Sequence, residues 1–216
     1  LSGMSGTVME VAAEIAADYH LPALKIPTHR PIQRKQLTPH LYLDRDDQFA
    51  AIVAAAKARA LDHGQPVLIG ARSVETSEQI GALFEAQNVP HVILNAVQDE
   101  EEAEIVARAG QAGTITIATN MAGRGTDIKP SAAALEAGGL HVILTELHES
   151  PRIDRQLFGR AGRQGQVGSA QIIMSLDDPL LHAYAQGVAR WLALRFKAAD
   201  GQVPPMLARL LRLVVQ

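Results

Sequence analysis

The chain has 216 residues, 47% apolar and 20% charged, with a formal net charge of −3 and 15 arginines among its 20 cations. A chain of this length buries about 70% of its extended surface on folding, enough for a core without disulfides or structural metal, and the composition excludes a disordered chain. Cysteine is absent, which excludes a disulfide framework, a thiolate zinc site and a cysteine nucleophile and fits a reducing compartment. The longest apolar run, Phe49–Ala56, is far below the ~20 residues of a membrane-spanning helix. The N-terminus lacks the basic-then-apolar pattern of a signal peptide, and the near-neutral charge leaves no global footprint for nucleic acid. The expectation is a soluble, cytosolic protein.

In chain order, a Gly/Ser/Thr turn at Gly3–Thr7 precedes an Ala-rich helix, and Ala23–Pro27 and Leu37–Leu43 read as short strands. After Asp46, the residues Phe49, Ile52, Val53, Ala56 and Ala60 recur at helical spacing until Gly64. Pro66–Gly70 is a continuous apolar strand of the doubly buried kind. Ser73 is a natural N-cap for a helix whose inner face is Ser77, Ile80, Leu83 and Phe84. His91–Asn95 is the next strand, and Asp99–Arg108 a helix with its acids in the first turn, ended by Gly110.

Thr114–Thr119 then forms a strand, followed by the loop Asn120–Lys129. Leu140–Glu146 is another strand, Ser150–Pro151 a cap and N1 proline for a helix running toward Gly162, and Ala170–Ser175 the last strand. Beyond Asp177 the patterns are helical: Leu180–Ala198, a break at Gly201–Pro205, and a Leu/Arg segment to the end. Strands alternating with helices at this spacing imply an α/β fold with a parallel central sheet covered on both faces, extended by C-terminal helix.

In open parallel sheets ligands sit at the carboxyl ends of the strands, which directs attention to two loops. In the first, Gly123 and Gly125 flank Arg124, and Thr126–Asp127 follow. Paired glycines let backbone approach a ligand while Arg124 and Asp127 project charge; a plain surface loop with an Arg–Asp pair is the simpler reading. In the second, from Gln156 to Gly165, Arg160 and Arg163 are three apart, so on a helical turn both face one way, with Gly159 and Gly162 clearing room. Two such guanidiniums form a fork for an anion, commonly phosphate. A solvated basic helix end is the alternative, weakened because each helical glycine costs about 1 kcal/mol.

A Walker A loop needs Gly-Lys followed by Ser or Thr, and none of the five lysines follows glycine. The chain can grip a phosphate from one side only. His141 and His148, seven apart across a strand-to-loop junction, suggest metal less well than two isolated histidines, so no metal site is expected. The Leu/Arg stretch Met206–Val215 suits docking on its own domain or a partner better than a membrane surface.

Gly3–Thr7, Pro27–Pro31, Val67–Gly70, Thr116–Lys129, Gly138–Ser150 and Arg152–Ser169 together resemble SecA, the preprotein translocase motor, colinearly over most of the chain. The resemblance implies the second RecA-like domain of a superfamily 2 type motor carrying helicase motifs IV to VI. Residues 1–22 would be the motif III turn and linker helix from the first motor domain, 23–176 the second RecA-like domain, and 177–216 a helical extension. Asp127, with Gly123, Gly125 and Thr126 around it, matches the motif V residues that contact ATP, and Arg124 the neighbouring nucleotide sensor. Gln156, Arg160 and Arg163 match motif VI, whose arginines reach across a cleft toward the γ-phosphate.

The resemblance further implies Mg-ATP, its magnesium held by the first motor domain outside this chain. The partners it implies are that first domain, a preprotein, a SecYEG-type channel and acidic membrane lipid, with no nucleic acid. The location it implies is the cytoplasm, peripheral at the inner face of the bacterial cytoplasmic membrane. Leu147 and Pro151 stand where the family usually has arginine, Phe158 breaks its usual Leu-Arg-Gly-Arg, and Gln98–Asp99 sits where a basic and polar pair is common. These departures bear on contacts with neighbouring domains rather than on the nucleotide site. A truncated chain and a short, specialised SecA-like protein both accommodate them. The rival readings are the second domain of a nucleic-acid helicase and a non-enzymatic adaptor module.

Overall fold

The computed structural model describes residues 2–6, 8–94, 99–119, 127–148, 150–196, 202–204 and 206–207. Within them the strands are β1 (Gln33–Gln36), β2 (His40–Tyr42), β3 (Val67–Ala71), β4 (Val92–Leu94), β5 (Ile115–Thr119), β6 (Leu140–Leu144), β7 (Val167–Ser175) and β8 (Gln202–Val203). The helices are α1 (Ala12–Tyr19), α2 (Arg45–Lys57), α3 (Val74–Ala86), α4 (Asp99–Arg108), α5 (Ala132–Glu136), α6 (Pro151–Phe158) and α7 (Pro179–Phe196). One sheet runs in the order β4-β5-β3-β6-β7-β2-β8. Its pairings are parallel except β2 with β8. β1 also lies along β7, against Val167–Ala170, while β2 takes Ile173–Ser175.

The central strands are buried at every position, so each supplies apolar side chains to both faces in alternation. Val67, Ile69 and Ala71 pack with Ile115, Ile117 and Ile143 beneath Phe49, Ile52, Val53 and Ala56 of α2 and Ile80 and Phe84 of α3. Leu68, Val142, Leu144, Ile172 and Met174 face the other way, toward Val106 of α4, Leu157 and Phe158 of α6, and Leu180 and Leu181 of α7. Each such side chain contributes roughly 1.5–3 kcal/mol by leaving water.

Local chemistry fixes the helix ends. The Asp44 carboxylate accepts from Asp47 N, Ser73 Oγ from Thr76 N and Ser131 Oγ from Ala134 N, each cap being worth about 1 kcal/mol. Pro151 occupies the first turn of α6, as expected, but Ser150 makes no side-chain cap bond.

Several expectations are corrected. Ala23–Pro27 pairs with no strand, and its Leu24 and Ile26 are 80% and 78% exposed. The sheet instead gains the polar β1. Leu83 faces solvent, and Gly81 lies inward beside Ile80 because His91 and Ile93 crowd that face. The break at Gly201–Pro205 contains β8, so the segment after Asp177 is not purely helical. The helix before Gly162 ends at Phe158.

At the start of β6, His141 is fully buried, with Nδ1 2.7 Å from Ser169 Oγ. Burial, helped by the Arg59 charge, lowers its pKa to about 3. The folded chain therefore holds a neutral imidazole where the unfolded chain takes a proton near pH 6.5. That contribution to stability is complete above pH 6.5 and is lost as pH falls toward 3, at up to about 1.4 kcal/mol per pH unit. Urea denaturation at pH 7 and pH 5 should show His141→Gln losing less stability on acidification than the parent; equal losses would contradict a buried neutral histidine.

Candidate functional site

The site is built from α6 and the loop that follows it. Leu157 rests on Gly70 of β3, where a Cβ would overlap the leucine side chain. At the far end of the helix Gly162 adopts φ 66°, and Gln164 and Gly165 are also left-handed at φ 53° and 73°. A Cβ on Gly162 would stand 2.9 Å from Arg34 Cβ, and one on Gly168 2.7 Å from Gly162 N. Gly162 and Gly168 thus let β1 and β7 close against the loop, whereas Gly162, with Gly159, was expected to clear room beside the arginines.

Arg34 completes that closure. Its Nη1 donates to the carbonyls of Phe158 (2.9 Å) and Ala161 (3.4 Å). Burial lowers its pKa, yet a guanidinium stays charged throughout the physiological range. Sequence reasoning missed this residue because a lone arginine in the polar run Gln33–Gln36 carries no pattern.

The arginines are not stacked on one helical turn. Arg160 lies in the turn after α6, whereas Arg163 follows left-handed Gly162. Arg163 Nη1 donates to Asp127 Oδ1 at 2.5 Å, and its Nε to Gly159 O at 3.1 Å. Both side chains of this ion pair are a little over one third exposed. The structure thus joins two candidates 36 residues apart in sequence, and the Arg–Asp pair in this region uses Arg163 as its base. Gln156 stands exposed on α6. Gly123, Arg124, Gly125 and Thr126 lie outside the described residues.

The position of the pair corrects the expectation of a carboxyl-edge site. Arg163 stands just before β7, and Gly162 packs where β6 and β7 begin. Lys129, two residues after Asp127, lies against Gly110 before β5, and Ser131 N donates to Gly110 O. Both segments leave the carboxyl edge, but Asp127 and Arg163 meet where the chain has returned to the amino edge.

Beyond the carboxyl ends of β6 and β7, several described polar groups are bonded inward, while Arg72, directly after β3, keeps a buried Nη1 without a hydrogen bond among the described residues. Asp178 accepts from Leu147 N (3.1 Å) and Leu180 N (2.8 Å), while Gln48 Nε2 donates to Thr145 O and Ile173 O. Arg45 Nη2 meets Glu146 Oε1 at 3.0 Å, and burial raises the Glu146 pKa against the opposing arginine charge. Asp154 Oδ1 lies 2.6 Å from His148 Nδ1 and accepts from His148 N, so that histidine is engaged rather than isolated. Leu147 is fully buried, which accounts for an apolar residue there. Among the described residues no group of three histidines or acids could hold a metal ion.

The chain matches the family model of the SecA P-loop domain over residues 31–134 and 129–201. A protein translocase subunit SecA 2 of Nitrosospira multiformis is 47% identical over 212 residues, covering 98% of this chain and 32% of that protein. SecA 2 of Bordetella avium is 52% identical over 182 residues, 84% of this chain and 27% of that protein. SecA of Nitratidesulfovibrio vulgaris is 46% identical over 202 residues, 94% and 24% respectively. The chain therefore spans about a quarter to a third of these relatives. Among solved structures, the E. coli DEAD-box protein SrmB, bound to regulator of ribonuclease activity A, aligns with a TM-score of 0.54 at 19% identity, covering 74% of this chain and 84% of that one. The parallel sheet with helices on both faces is thus a RecA-like P-loop fold. With most of its length matched, the chain belongs to the SecA P-loop domain family.

Two outcomes check the architecture of the site. Gly70→Ala should cost about 1–3 kcal/mol through overpacking, and adding Leu157→Ala should cost less than the sum of the two single changes; strict additivity would mean the helix is not seated there. A double-mutant cycle on Asp127→Ala and Arg163→Ala, read by urea denaturation, should give a coupling of about 0.2–1 kcal/mol for this half-exposed pair, and no coupling would remove the ion pair as an ordering contact.

Proposed function

We propose that this chain is the second nucleotide-binding lobe of a SecA-type ATPase that drives preproteins through a SecYEG-type channel, working from the cytoplasmic face of the membrane with acidic lipid beneath it. The observation that carries this reading is the Asp127–Arg163 pair, which unites the two segments resembling motifs V and VI. A lobe with phosphate-seeking arginines but no glycine-preceded lysine forms one wall of a nucleotide site. The phosphate cradle and the magnesium ligands are assigned to a first motor lobe.

On this reading the Asp127–Arg163 bond pre-positions both groups. Described contacts engage one carboxylate oxygen and two guanidinium nitrogens, so Arg163 retains Nη2 and Asp127 its second oxygen for a nucleotide held opposite. Arg160 from the turn after α6 and Gln156 from α6 itself would contribute beside them, and the resemblance adds Gly123, Gly125 and Thr126 as nucleotide contacts and Arg124 as the sensor. Preorganised donors aimed at developing charge supply the largest electrostatic part of phosphoryl transfer. Opening and closing of the lobes would turn that chemistry into movement. No described helix is long and apolar enough to cross a membrane, in keeping with a peripheral attachment.

The test joins this chain to the Walker-loop lobe of a close relative and follows ATP turnover. Arg160→Ala or Arg163→Ala should lower kcat by about 10³-fold, as loss of an arginine finger does, with nucleotide affinity changed far less. The chain without that lobe should show no turnover above background; turnover by it alone, abolished by Arg160→Ala, would overturn the assignment.

A further inference from the structure

A cavity of about 460 Å³ opens between the segment Thr28–Arg34 and the loop Gly159–Gly165. Neither Asp127 nor Arg163 lines it, so it is separate from the ion pair above. Arg30, Arg34 and His29 stand on one wall and Gln164 on the other, and no aspartate or glutamate lines it. Among the described residues, neither Arg30 nor Arg34 has a carboxylate within ion-pair distance. Arg34 is half-buried and bonds only to neutral carbonyls, so its charge is partly desolvated without a counter-ion, an arrangement that favours an anion nearby.

The shape is built for this. Gly165 has φ 73°, and a Cβ there would stand 2.7 Å from Arg30 Cβ and 3.1 Å from Arg30 Cδ. Glycine at this position lets the Arg30 stem lie along the loop at the pocket wall. Gln33 Nε2 donates to Gly165 O at 2.7 Å and ties the two walls together. Thr28 and Gln164 add neutral donors to the lining. The volume exceeds what a single phosphate fills and suits a phosphate with a group attached.

We propose that this pocket is an oxyanion subsite that binds a phosphate group through the Arg30 and Arg34 guanidiniums, with Thr28 and Gln164 as neutral partners. It stands whether or not the chain works in a motor. The phosphate comes either free or as the tail of a nucleotide.

Calorimetry at constant ionic strength, with pyrophosphate, ADP and adenosine as probes, tests it. Pyrophosphate should bind the parent chain, and Arg30→Ala should raise its Kd at least fivefold with the folded signal unchanged. Arg108→Ala, on the surface of α4 and outside the lining, should leave that Kd within twofold. Arg34→Ala also removes the bonds that hold the loop, so the decision rests on Arg30. Competition by ADP but not by adenosine identifies a nucleotide tail as the source, and pyrophosphate binding without ADP competition identifies free oxyanion; either upholds the subsite. Absence of pyrophosphate binding, or a Kd left unchanged by Arg30→Ala, overturns it.

Discussion

Leu157 against Gly70 is the contact from which the charged surface follows. A helix lies this close over a buried strand only where the strand has no side chain beneath it, and β3 provides that gap at one residue. With α6 seated there, its C-terminal loop emerges over the start of β6 and β7. Gly168 then lets the Gly162 backbone settle, and Arg34 from β1 draws in the Phe158 and Ala161 carbonyls. Strand, helix and loop are thus stacked by close approaches, and Arg163 reaches Asp127 as a consequence.

Burial on both faces made much of this fold legible. Pro66–Gly70 is an unbroken apolar run, and Thr114–Thr119 and Leu140–Glu146 are dominated by aliphatic and β-branched residues, because each strand feeds two cores. Ser73 was readable as a cap because its chemistry is local. β1 was illegible for the converse reason: it joins the sheet through backbone bonds to β7 while Gln33, Lys35 and Gln36 face water. Ala23–Pro27 misled because apolar content implies a strand only where a sheet edge is available to pair with it.

The candidate site was legible in its residues but not in its geometry. Arginine spacing suggested one helical face, yet Gly162 at φ 66° turns the chain before Arg163. Nothing in the sequence ties Asp127 to a base 36 positions away. Gly159 and Gly162 were singled out as costly in a helix, but both lie beyond the end of α6, and Gly162 admits the stem of Arg34.

The two edges of the sheet hold their charged groups differently. At the carboxyl ends of β6 and β7, several described polar groups are bonded inward: Asp178 to two backbone amides, Asp154 to His148, Gln48 to two carbonyls and Glu146 to Arg45. The rule that α/β folds bind at the carboxyl edge describes domains that cradle a ligand by themselves, where strand ends and helix N-termini converge on it. In this chain the inward bonds at the ends of β6 and β7 tie the loops to the sheet there. Half-exposed guanidiniums sit where the glycine-rich return leaves them at the amino edge of β6 and β7, whereas Arg72 at the carboxyl end of β3 has its unbonded Nη1 buried.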